Sequence, residues 1–72
     1  MRVSCEIRME YPDERTASAI FESVKTDNEG FVESQLAGKH IIFTASAESA
    51  MSLSHTINDL LACVKAAENS LL

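Results

Sequence analysis

His55 and Asp59 stand four residues apart, a spacing that puts an imidazole and a carboxylate on one helix face, where such a pair can serve a metal. Two ligands alone are a weak metal signal, and the same pair suits a solvated or partner-facing surface. Cys63 has no histidine at helical spacing on its own face to draw off the thiol proton, and Lys65 reads as a solvated charge. His40 falls beside a candidate hairpin turn, as an exposed strand residue. Ser46, Ser49, Ser52 and Ser54 read as helix caps and small packing residues. The glycines are Gly30 and Gly38, which leaves no glycine-rich phosphate loop and no GxxG clamp for single-stranded RNA. These residues assemble no active site. The chain reads as a non-enzyme, with no cofactor and no metal-binding set.

The element that must position His55, Asp59 and Cys63 is the stretch from Ser49 to Leu72, which has the pattern of one long helix. Leu53, Ile57, Leu60, Leu61, Val64, Ala67 and Leu71 recur at three- and four-residue steps and predict the stripe that faces the core. The other side is dominated by Ser52, Ala62, Cys63 and Ala66, interrupted by His55 and Asp59. A solvated helix face carries Glu and Lys; a face of small residues lets another helix approach closely. This helix is therefore expected to pack twice, against its own core and against a partner.

Seventy-two residues make a single domain, 1–72. A chain of this length buries only about 60–65% of its unfolded surface, so association with a second chain is expected to support it. Cys5 and Cys63 lie far apart in apolar-periodic segments and suit unpaired thiols of a reducing compartment. No basic-then-apolar leader precedes the first strand, and no run approaches the roughly 20 apolar residues of a membrane span. A cytoplasmic protein is expected. The formal charge of −5, six basic residues scattered among eleven acidic ones, argues against a free-standing nucleic-acid binder, which needs clustered Lys and Arg.

Residues 2–11 alternate: Val3, Cys5, Ile7, Met9 and Tyr11 on one face, Arg2, Ser4, Glu6, Arg8 and Glu10 on the other. That is the period of a half-buried strand. Tyr11-Pro12-Asp13-Glu14 predicts a helix start with proline in the first helical position and acids in the first turn. Ala17, Ile20, Phe21 and Val24 form its inner stripe, and Arg15, Ser18, Ala19 and Glu22 its outer side. A polar cluster at 25–30 predicts the stop. Two strands then flank Gly38-Lys39, pairing Leu36 with Ile41, Ser34 with Phe43 and Val32 with Ala45 on one face. Ser49 is the expected N-cap of the final helix. The fold class is α+β: β-α-β-β-α, a three-stranded antiparallel sheet with two helices on one face. Its open edges predict that the sheet is extended by dimerisation.

Two segments carry a family resemblance. Ser23-Val24-Lys25-Thr26-Asp27-Asn28 ends a helix in an Asp-Asn turn. Ser49-Ala50-Met51-Ser52-Leu53, continued by Thr56-Ile57-Asn58-Asp59-Leu60-Leu61, opens the last helix. In this order, separated by one hairpin, they resemble the small Pcc subunit of the KEOPS complex, the CTAG/Pcc family, and the likeness runs from the first strand to Ala67-Glu68. The resemblance implies a non-catalytic scaffold for threonylcarbamoyladenosine (t6A) modification of tRNA. It implies a homodimer, or a heterodimer with a paralogue, joined into a six-stranded sheet. It also implies helices that pack on the catalytic ATPase-fold subunit, with tRNA contacted only indirectly or weakly. The short chain resembles archaeal members. Carried onto this sequence, the partner contact falls on Ser52, His55, Asp59, Ala62, Cys63 and Ala66, and secondarily on Arg15, Ser18, Ala19 and Glu22. Family members commonly have arginine after the Ser-Leu pair; here Ser54 stands there, so an RNA or dimer contact made by that arginine is missing. The alternatives are a K-homology-like RNA-binding module, a divergent paralogue acting as a heterodimer partner, and a small metalloenzyme using His55 and Asp59.

Overall fold

The structure, a computed structural model, describes residues 1–25 and 32–71. The elements run β1 (Val3–Glu10), α1 (Glu14–Lys25), β2 (Val32–Ala37), β3 (His40–Ala47) and α2 (Ala50–Leu71). The expected β-α-β-β-α order stands. The Asp-Asn turn expected after α1 lies outside the described residues.

β3 is the central strand, antiparallel to β1 on one side and β2 on the other. β1 and β2 therefore run parallel with β3 between them, and α1 is the crossover that joins them. The hairpin has the expected register: Leu36 opposite Ile41, Ser34 opposite Phe43, Val32 opposite Ala45. Gly38 takes φ +63° at the first loop position while Lys39 keeps a negative φ, the pattern of a II′ turn, whose twist matches the flanking strands.

Both helices cover one sheet face, α1 over β2 and β3 and α2 over β3 and β1. Ile41, Phe43, Ala45 and Ala47 of β3 are buried beneath them, with Ala17, Ile20 and Val24 from α1 and Leu60, Val64 and Ala67 from α2. The gradient across the sheet follows from this cover. The central strand is sealed, whereas Val3, Cys5, Ile7 and Met9 of β1 are only half-buried.

Two local expectations are corrected. Pro12 is not in the first helical position: α1 begins at Glu14, and Asp13 is its N-cap. Asp13 Oδ1 accepts the Thr16 amide at 2.7 Å while the Asp13 carbonyl accepts Ala17 N–H at 3.2 Å. The Thr16 amide, the main cause, holds the exposed Asp13 carboxyl below its usual range. The second correction is in the apolar stripe of α2. Leu61 is 42% exposed and Leu71 47% exposed, and Leu53 and Ile57 are half-buried. At ~100° per residue, Leu60 and Leu61 cannot both face the core. A helix of 22 residues, about 33 Å, also outruns strands of eight, about 26 Å, which leaves Leu71 and the 74%-exposed Met51 towards its ends. Ser49 caps α2 as expected: its Oγ accepts Ser52 N–H at 3.2 Å and its carbonyl accepts Leu53 N–H at 3.0 Å.

Candidate interaction surface

α2 owes its inner face to Leu60, Val64 and Ala67, and the rest of its circumference follows from that anchor. Ser52, His55, Asp59, Ala62, Cys63 and Ala66 fall within an arc of about 100°, centred roughly 120° away from the core direction. All but Cys63 are exposed. Cys63, at the rim of the arc nearest the core, is half-buried and packs against the core cluster. The structure thus brings the six expected residues onto one strip of one helix. On α1, Arg15, Ala19 and Glu22 are exposed and Ser18 is half-buried. The two helices pack against each other above the sheet, so both outer faces look away from it.

The strip is chemically plain. The side chains of His55 and Asp59 make no hydrogen bond or ion pair within the described residues. No group of three or more His, Cys, Asp or Glu side chains is placed to hold a metal ion among the described residues. Cys5 and Cys63 are free thiols. No helix among the described residues is long and apolar enough to cross a membrane. What the strip offers is area: alanine and serine methylenes that permit close approach, with one imidazole and one carboxylate for polar contacts.

Charge is placed elsewhere. On the open sheet face Lys39 Nζ lies 3.3 Å and His40 Nε2 3.6 Å from the Glu10 carboxylate, and Arg2 reaches Glu48 at 3.8 Å and Ser46 Oγ at 3.1 Å. With Glu10 and Glu48 beside them, these side chains form no basic stripe among the described residues of the kind that tracks a phosphate backbone.

Comparison with known families decides the relationship. A sequence model of the Pcc1 family, described as transcription factor Pcc1, matches residues 4–71. The chain belongs to the Pcc1 family. Members of the Pcc1 family are subunits of the KEOPS complex, and membership is consistent with a KEOPS-associated role. No individual curated protein matches the chain at a significant level. The match runs from within β1 to the last residue of α2, so the strip on α2 lies inside the Pcc1 region rather than on an appendage.

One feature that the sequence pattern concealed is Leu61. Periodicity places it in the inner stripe, yet it lies 42% exposed on the flank of α2, two turns from Glu68. The signal was present in the adjacency of Leu60 and Leu61: only one of two neighbouring helical leucines can point at the centre of a sheet.

Proposed function

We propose that this Pcc1-family chain is a non-catalytic scaffold subunit of the KEOPS complex, supporting t6A modification of tRNA in the cytoplasm. The outer strip of α2, with Arg15, Ser18, Ala19 and Glu22 of α1 beside it, is the surface for the catalytic ATPase-fold subunit. The sheet is continued by a second copy, or by a paralogue, so that one dimer joins two catalytic subunits. The observation that carries this reading is the exposed strip of small residues on α2, inside a region that matches the Pcc1 family from end to end. Helices that meet over alanine and serine approach more closely than helices that meet over long side chains. The net charge of −5 favours action through protein contacts, with tRNA presented and not gripped.

The test is light scattering behind size exclusion, on the chain alone and mixed with the catalytic KEOPS subunit of the same genome. The scaffold reading expects a dimer that shifts to a heavier complex. A monomer that ignores that subunit overturns it. An affinity for tRNA that falls steeply with salt would favour the RNA-binding alternative instead.

A further inference from the structure

α2 is anchored unevenly along its length. Leu60 and Val64, 0% and 2% exposed, fix its middle on the sheet. Beyond Val64 its burial ends with Ala67, a single methyl. Ala66, the last residue of the outer strip, sits on this thinly anchored end. The final turns of a helix with so little apolar cover open locally at a small fraction of the global unfolding free energy.

One polar contact stands against that opening. The Tyr11 hydroxyl donates to Glu68 Oε2 at 2.7 Å, across 57 positions of sequence. The donor is fixed to the sheet and cannot follow the helix outward. Its backbone N–H is bonded to the Lys39 carbonyl at 2.9 Å, its side chain is in the core, and its hydroxyl lies 3.9 Å from the Met9 sulfur. Among the described residues of α2, only Glu68 hydrogen-bonds to the sheet layer through its side chain. At about 100° per residue, Ala66 and Glu68 point to nearly opposite sides of the helix. The bond therefore braces α2 from behind the strip.

We propose that Tyr11 and Glu68 are positioning residues for the α2 strip. Their hydrogen bond keeps residues 65–71 helical and seated at the end of β1, which holds Ala66 in line with Ser52, His55, Asp59 and Ala62. This rests on the reading of that strip as the surface for the catalytic ATPase-fold subunit, and adds a residue pair that touches no partner. A partner that needs the whole strip binds only the fraction of chains whose last turns are seated. Breaking the tie weakens binding by that fraction.

Isothermal calorimetry with the catalytic KEOPS subunit of the same genome, and amide hydrogen exchange on the free chain, test this. Tyr11→Phe and Glu68→Ala are each expected to weaken binding about three- to tenfold at a temperature where circular dichroism shows both fully folded. Exchange at residues 66–71 is expected to quicken more than at 60–64 in both variants; a loss of global stability alone would quicken the two stretches alike. The double variant should bind no worse than either single one, since there is one bond to lose. Glu68→Gln keeps an acceptor oxygen for the phenol and should bind within about twofold of wild type. Wild-type affinity in Tyr11→Phe and Glu68→Ala, or exchange that quickens uniformly, overturns the positioning role and leaves the strip reading standing. A wild-type chain that does not bind that subunit overturns both.

Discussion

The phenol of Tyr11 donates a 2.7 Å hydrogen bond to Glu68 Oε2, tying the end of β1 to the last turns of α2. Its backbone N–H meanwhile donates to the Lys39 carbonyl at 2.9 Å, continuing the β1–β3 ladder past the strand. One residue thus belongs to the sheet by its main chain and to the helix layer by its side chain. At 6% exposure it is also part of the core. Without this tie the C-terminal half of α2 is held to the core by Val64 and Ala67, with half-buried Cys63 beside them.

Tyr11→Phe keeps the ring and removes the tie, leaving the half-buried Glu68 carboxylate without its donor. A loss of about 1–2 kcal/mol is expected at neutral pH, read from urea unfolding. The pH dependence has a definite sign. Burial first, then the hydrogen bond and charge of Glu68, push the phenol well above its usual range. Above pH ~10 the unfolded chain releases this proton and the folded chain keeps it, so wild-type stability falls with rising pH. Phe has no proton to release. The gap between the two proteins should therefore narrow above pH ~10, and a gap that stays constant would refute the burial of the phenol.

Gly38 is the turn residue whose backbone requires glycine, at φ +63°. A Cβ added there would first meet Glu14 Oε1 at 3.7 Å, an ordinary contact, so the cost of Gly38→Ala is conformational and not steric. A loss of about 1 kcal/mol in unfolding free energy is expected, read from urea unfolding, with the antiparallel register kept. A neutral result would mean that the loop can change turn type at no cost.

The strands were legible because period-two alternation and a short glycine loop leave few registers: Leu36, Ser34 and Val32 could share a face with Ile41, Phe43 and Ala45 in only one way. The caps were legible in part. Ser49 took its place, whereas the expected start at Pro12 gave way to Glu14, because the Asp13 carboxylate accepts the Thr16 amide and makes Asp13 the cap. The core stripe of α2 was overdrawn at Leu61 and Leu71 because periodicity assigns residues to a side of a helix, not to the depth or length of the surface beneath. The small-residue strip was legible as a face. Its partner was not, since alanine and serine carry no record of what covers them.

Leu60 and Leu61 give that distinction an energetic form. Leu60→Ala empties a fully buried site between α2 and β3, and a loss of about 2–5 kcal/mol is expected at any protein concentration. Leu61→Ala should cost under about 1 kcal/mol in a monomeric state. The same small cost is expected at every protein concentration if nothing outside the chain covers Leu61. Equal costs for the two leucines, independent of concentration, would put Leu61 back in the core.

The strip on α2 is tested at its two alanines. Ala62 and Ala66 are exposed and one turn apart, so Ala62→Arg and Ala66→Glu add bulk and charge where nothing in the chain is displaced. Arginine and glutamate are good helix formers, and each variant should unfold within about 0.5 kcal/mol of wild type. Binding to the catalytic ATPase-fold subunit should be abolished, because a helix seated on alanine cannot admit a guanidinium or carboxylate without withdrawing along its length. Titration by isothermal calorimetry, with circular dichroism on the same samples, separates these readouts. Loss of binding with the fold intact assigns the strip to the partner. Normal binding by either variant would move the contact off this arc of α2, leaving Arg15 and Ala19 of α1 as the next positions to reverse.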